Sequence, residues 1–125
     1  MSNKIRIKVG GKTFEATLSD NATAIAFKAL LPMTITMTEL NGNEKYFSLS
    51  NNLPIKASNP SIIQIGDLMM YGSSTLVIFY KTFSTSYNYT KLGRVDDPTG
   101  LAAALGSGNV SVTFEVQKEE KKDVE

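Results

Sequence analysis

The side chains best suited to holding a ligand are aromatic and lie between positions 79 and 94 of the chain. Tyrosine and phenylalanine present large stacking faces at low cost in conformational entropy, which suits capture of a peptide or a small molecule. The same rings could instead form a ladder across two strands that only stabilises a sheet. An arginine, one of two in the chain, follows them. The candidate ligand-binding residues are therefore Phe79, Phe83, Tyr87, Tyr89 and Arg94.

Two chemistries are open to Arg94. Its guanidinium group could clamp a carboxylate or a phosphate with two hydrogen bonds. It could also pair on the surface with Asp96 or Asp97, and we expect this second arrangement. The two aspartates precede Pro98, so their spacing predicts the capped start of a helix rather than a metal or acid–base pair.

The sequence contains no cysteine and no histidine. This excludes disulfides, thiol chemistry, Cys/His zinc sites and every catalytic triad that uses histidine. An enzyme built on carboxylates alone would need Glu39, Glu44 and Asp67 to converge in one cleft. We read Asp67 as a turn residue and Glu44 with Lys45 as a solvated cross-strand pair. We therefore predict no catalytic residue, no metal site and no cofactor.

The net charge limits the classes of partner, and the length limits the number of domains. The 125 residues carry thirteen Lys and Arg against twelve Asp and Glu, so no broad field favours nucleic acid or an acidic membrane. The length fits one domain, which we place at residues 1–117, followed by a charged and disordered tail at 118–125. No apolar run approaches a membrane span or a signal peptide. We expect a cytoplasmic protein, unless a leader has been removed, that is a monomer or a weak dimer.

Strands dominate the pattern of hydrophobic residues. Ile5, Ile7 and Val9 alternate with basic residues, which is typical of a half-buried strand, and a Gly-Gly pair then predicts a hairpin. Similar alternation recurs along the chain, and the apolar run at 75–83 predicts a strand buried on both faces. About eight strands result. A flat sheet of that size would leave long exposed edges, so we predict an all-β fold: a closed eight-stranded antiparallel barrel capped by two short α-helices.

The two helices are predicted from their caps and apolar faces. Polar residues at 19–21 precede residues 22–31, where Ile25 and Phe27 contribute to a wide apolar face and Pro32 ends the helix. The second helix is predicted over residues 99–105, after the aspartate cap and Pro98, and ends at Gly106.

Residues 21–31, which read Asn-Ala-Thr-Ala-Ile-Ala-Phe-Lys-Ala-Leu-Leu, resemble the first helix of cyclophilins. The downstream pattern is similar to that of small bacterial cyclophilin-like proteins of unassigned function, and the resemblance spans about residues 5–116. It implies a closed eight-stranded barrel with a helix at each end. The matching positions are Gly66, Asp67, Tyr71, Phe79, Tyr80, Ser84, Leu92, Gly93 and Arg94.

Cyclophilins isomerise peptidyl-prolyl bonds in an apolar cradle on the outer face of the barrel, where an arginine donates to the prolyl nitrogen. Here residues 64–67, Gln-Ile-Gly-Asp, resemble part of the enzymes' motif, but Lys56 and Ser61 stand where that motif has its arginine and phenylalanine. Lysine lacks the planar donor fork of arginine. The family's tryptophan and histidine are also absent. We therefore expect a non-catalytic binding module for a peptide or small ligand, with a divergent, weak prolyl isomerase as the alternative.

Overall fold

The computed structural model describes residues 3–117. The predicted charged tail at 118–125 lies outside the described residues. In chain order the elements are β1 (Lys4–Val9), β2 (Lys12–Leu18), α1 (Ala22–Lys28), β3 (Met33–Leu40), β4 (Glu44–Ser48), β5 (Ile62–Ile63), β6 (Asp67–Tyr71), β7 (Thr75–Phe79), β8 (Phe83–Ser84), β9 (Thr90–Val95), α2 (Leu101–Leu105) and β10 (Val110–Val116).

Eight of the strands form a closed antiparallel barrel in the order β1-β10-β3-β4-β7-β6-β9-β2. Closure pairs β1 with β2 on one side and with β10 on the other, so β1 has no open edge. The short strands β5 and β8 form a separate two-stranded sheet. The prediction of an all-β, eight-stranded closed barrel with two short helices is confirmed.

Side-chain alternation decides which residues fill the barrel. In β1, Ile5, Ile7 and Val9 are buried and belong to the main core, as predicted. Phe27 of α1 also enters this core and meets Phe114 edge-on, with ring centroids 5.8 Å apart. Apolar side chains therefore fill most of the interior of the barrel, and the surfaces available to a ligand lie outside it.

The helices lie at opposite ends of the barrel, because α1 follows the end of β2 whereas α2 follows the end of the neighbouring antiparallel strand β9. Asn21 caps α1 by accepting from the backbone N–H of Ala24. α1 is shorter than predicted, ending at Lys28, and Ile25 is 68% exposed instead of joining the apolar face.

The start of α2 also differs from the prediction. The helix begins at Leu101 after Gly100, whose φ of 83° is left-handed. Asp97 does not cap it, since its carboxylate accepts instead from the backbone N–H of Thr99 in a local turn. Gly106 ends the helix with a φ of 73°, as expected.

Lys45 and Glu44 do not form the expected solvated pair. The two residues are neighbours on β4 and therefore point to opposite faces of the barrel wall. Lys45 is fully buried, and its ammonium group bonds to Glu39 and to the carbonyls of Gly106 and Gly108. Glu44 lies on the outside.

Candidate functional site

A second apolar cluster covers the outer face of the barrel wall at β6 and β7. Met69, Val77 and Phe79 point outward from these strands, and Ile63 and Tyr89 pack on them from the segments that cross over the wall. This explains why β7 is buried on both faces over residues 76–79, as predicted from its composition. The same crossing segments leave two concave surfaces beside the cluster.

The smaller concave surface, here called the tyrosine groove, has a volume of about 300 Å³. Tyr71 lines this groove and contacts two further tyrosine rings. The ring of Tyr87 meets it edge-on with centroids 6.2 Å apart, and the ring of Tyr89 is tilted against it at 5.6 Å. The groove is lined by Leu40, Asn41, Glu44, Tyr46, Tyr71, Thr75, Val77, Tyr87 and Tyr89.

Strand register places the remaining tyrosine and the carboxylate of the groove. On β4, Glu44 and Tyr46 are two residues apart and so share the outer face. Tyr46 lies opposite Val77 of β7, and Glu44 lies opposite Phe79. Burial raises the pKa of Glu44, and the negative charge of Glu39 raises it further.

The larger concave surface, here called the polar cavity, has a volume of about 650 Å³. Asp67 is buried in its wall. Its carboxylate accepts from Arg94 Nε at 2.9 Å and from the backbone N–H of Gln64 at 2.9 Å. The cavity is lined by Asn21, Ala22, Thr23, Pro54, Ile55, Lys56, Ser58, Pro60, Ile62, Gln64, Asp67, Met69, Tyr89, Thr90, Lys91 and Arg94.

The polar cavity carries an excess of positive charge. Arg94 is neutralised by Asp67, whereas the ammonium groups of Lys56 and Lys91 form no hydrogen bond or ion pair with other described residues. Tyr89 lines both the polar cavity and the tyrosine groove. The ring of Tyr89 therefore separates the basic polar cavity from the acidic tyrosine groove.

The five candidate ligand-binding residues do not all stand at an open surface. Phe79 is fully buried, and the rings of Phe83 and Tyr89 contact it at centroid distances of 5.7 and 5.6 Å. Tyr87 is 61% exposed. Arg94 belongs to the polar cavity and binds Asp67, so the expected surface pair with Asp96 or Asp97 is wrong.

The structure brings three further residues to the groove that sequence reasoning had not assigned to the site: Glu44, Tyr46 and Tyr71. The alternation on β4 was a usable signal, since it places Glu44 and Tyr46 on one face. Tyr71 could not be placed this way, because its contacts with Tyr87 and Tyr89 depend on how a distant loop crosses the wall.

The three carboxylates considered for catalysis do not converge. Glu39 bonds to Lys45, Glu44 lines the tyrosine groove, and Asp67 bonds to Arg94. Asp67 is therefore a buried ion-pair residue as well as the first residue of β6. Within residues 3–117 no cluster of three or more Asp or Glu side chains could hold a metal ion.

The two positions at which the sequence departs from the isomerase motif lie in different surroundings. Lys56 lines the polar cavity. Ser61 is exposed in a turn with a φ of 68°, where its backbone N–H donates to the side chain of Asn59.

In residues 3–117, neither helix has the length and hydrophobicity that crossing a lipid bilayer would require.

Comparison with known proteins agrees with this architecture. No curated protein matches the chain significantly. Among solved structures, the solution structure of a hypothetical protein from Archaeoglobus fulgidus superimposes with a TM-score of 0.63 at 18% identity, covering 93% of this chain and 95% of that one. This likeness shows a shared fold. The model of the cyclophilin-like family matches residues 7–115, and the chain therefore belongs to the cyclophilin-like family.

Proposed function

We propose that this protein is a non-catalytic binding module that holds a peptide or a small molecule on the outer face of its barrel. The observation that carries the proposal is the pair of adjoining concave surfaces that share Tyr89. Ligand sites are concave, are lined with aromatic and apolar groups, and contain a few polar groups that fix orientation. The tyrosine groove fits this description, whereas the polar cavity beside it is lined mainly by polar and charged side chains.

The exposure of the tyrosines supports the proposal. Tyr71 is 49% exposed and Tyr87 61% exposed, and their rings contact each other. Side-by-side exposed aromatic rings are a common feature of surfaces that bind partners. A ladder that only stabilised the sheet would need neither ring to stand open.

A divergent prolyl isomerase is the second candidate. Its support is family membership together with the position of Lys56, which stands in for the expected arginine and lines the polar cavity. A lysine gives a single point charge without the bidentate fork, so stabilisation of a twisted prolyl bond would be weak. The first candidate explains the tyrosine groove, which isomerisation does not require.

The proposal is tested by NMR titration of the ¹⁵N-labelled protein with separate pools of neutral small fragments and of blocked tetrapeptides. We expect saturable shifts of the amides of Tyr71, Tyr87 and Lys91. A Tyr87→Ala variant should weaken binding at least about tenfold, because a stacking face is lost. A Thr13→Ala variant on β2 is the control. Shifts confined to β1, β2 and β10 would contradict the proposal, and so would the absence of shifts with every pool.

A further inference from the structure

We propose that the tyrosine groove binds an organic ammonium group, held over the tyrosine rings and beside the carboxylate of Glu44. This inference rests on the proposed function and names the chemistry of one part of its ligand. The side chains of Tyr71 and Tyr87 are exposed, and Tyr46 and Tyr89 also line the groove. Cations are attracted to the negative faces of aromatic rings, most strongly where water is excluded.

The carboxylate of Glu44 lacks a counter-charge within the described part of the chain. It forms no hydrogen bond or ion pair there, although it is half-buried between Tyr46 and the end of β7. A carboxylate taken partly out of water without a partner is unfavourable. A bound cation would supply the missing partner and remove this cost.

The net charge around Glu44 favours a cation over an anion. Glu39 on β3 raises the pKa of Glu44, although its own charge is paired with that of Lys45, and the hydroxyls of Tyr80 and Tyr89 also interact electrostatically with Glu44. Lys45, its neighbour on β4, points into the barrel and bonds to Glu39. Burial is the main cause of the raised pKa of Glu44, and no positive charge in the described part of the chain lowers it.

The chemistry of the lining distinguishes an organic cation from a metal ion. Magnesium and calcium ions require several oxygen ligands and favour carboxylates, and the groove offers a single carboxylate, with Asn41 and Thr75 as its only other side chains that are neither aromatic nor aliphatic. An alkylated ammonium is weakly hydrated and presents methyl groups to the rings. Such a group could belong to a free amine or to the side chain of an alkylated lysine in a peptide.

The test is a titration with choline and with its uncharged carbon isostere, 3,3-dimethylbutan-1-ol, followed by amide shifts. We expect choline to bind at least about tenfold more tightly and to shift Tyr71 and Tyr87. Glu44→Gln should lower choline affinity about tenfold and leave the isostere unaffected. Tyr87→Phe should retain most of the affinity, and Tyr87→Ala should lose it, because the ring face is the binding element.

The matched control is Glu15→Gln, which removes the same charge from an exposed position on β2. It should leave choline affinity unchanged. Two short peptides, one with a trimethyllysine and one with norleucine at that position, identify the source of the cation. Preference for the trimethyllysine peptide over choline indicates a side chain, and equal affinity indicates a free amine.

Equal binding of choline and its isostere would overturn the inference, and so would a Glu44→Gln variant that binds choline normally. The urea unfolding curve of each variant shows that it is folded. If choline fails while the neutral fragments or peptides still shift the groove, the ammonium inference is wrong and the proposed binding function stands. If none of these ligands shifts the tyrosine groove or the polar cavity, the proposed function itself is wrong.

Discussion

The ammonium nitrogen of Lys45 lies 2.8 Å from Oε1 of Glu39, at a point where the lysine is fully buried in the barrel. The same nitrogen donates to the carbonyls of Gly106 and Gly108 at 2.9 and 2.5 Å. Glu39 Oε1 also accepts from the hydroxyl of Tyr80. This network joins the segment after α2 to β3 and β4, and so it fixes the end of the barrel nearest to Glu44.

Removing one partner of this pair should destabilise the fold strongly. In Glu39→Ala the buried ammonium loses its counter-charge, and we expect a loss of about 3–5 kcal/mol in the free energy of unfolding. Lys8→Gln, which breaks the exposed pair with Glu115, is the control and should cost less than about 1 kcal/mol. Urea unfolding measures both. Equal effects of the two variants would contradict the role given to the buried pair.

Acid should weaken the fold through Glu39. Burial would raise the pKa of this carboxyl, but the hydrogen bonds from Lys45, Tyr80 and Gly42 outweigh it and hold the pKa below the ordinary value of 4.5. A depressed pKa in the folded state contributes stability above the unfolded pKa, and this stability is lost as pH falls through the folded value. The contribution of Glu39 to the unfolding free energy should therefore decrease below about pH 4.5, the ordinary pKa of this carboxyl.

The variant Glu39→Gln identifies the group responsible for this acid dependence. It should be less stable than the wild type at pH 7 and should show a smaller further loss between pH 4.5 and pH 3, because one titrating carboxyl is gone. Urea titrations at the three pH values supply the comparison. If the variant lost as much unfolding free energy as the wild type between pH 4.5 and pH 3, other carboxyls would account for the acid dependence.

Glu44 should behave in the opposite sense. Its raised pKa means that the folded state binds the proton more tightly, so ionisation at neutral pH lowers stability and protonation restores it as pH falls. Glu44→Gln should therefore be as stable as the wild type at pH 7 or slightly more so, by up to about 1 kcal/mol. The difference should shrink at pH 4. A large loss of stability at pH 7 would mean that the carboxylate has a structural partner.

Gly93 on β9 should tolerate no side chain. A Cβ built there would lie 2.5 Å from the carbonyl oxygen of Thr17, because β9 and β2 approach closely at that point. Gly93→Ala should cost about 1–3 kcal/mol through displacement of backbone. Gly108→Ala, at a position with nothing within 4 Å, is the control and should stay near wild type in thermal unfolding. Comparable melting temperatures for both would contradict this packing.

The barrel could be predicted from the sequence because each strand carries its own signal. Ile5, Ile7 and Val9 alternate inward, and the turn glycines mark where the chain reverses. The helix starts were harder to predict. Asp97 has the chemistry of a helix cap, but its carboxylate accepts a hydrogen bond within a local turn, and α2 begins later, at Leu101. Short polar side chains serve both purposes equally well, so local sequence does not distinguish them.

The candidate site was only partly predictable, because its contacts join distant segments. The aromatic composition of residues 79–89 predicted a binding surface there, but Phe79 is buried within the outer apolar cluster, whereas Tyr87 is exposed and contacts Tyr71. The partner of Arg94 was predicted among the adjacent aspartates, whereas strand pairing places Asp67 directly across from it. Register between β6 and β9 decides that contact, and register was not available from the sequence.

The most direct test of binding without turnover is NMR exchange spectroscopy on a blocked tetrapeptide with a central Xaa-Pro bond, at a concentration that shifts the amides of Tyr71 and Tyr87. Uncatalysed isomerisation takes tens to hundreds of seconds. We predict that cis–trans exchange stays at this rate while the peptide is bound. Exchange accelerated to enzyme-like rates, and abolished by Lys56→Ala or Tyr87→Ala, would contradict the account and identify an isomerase.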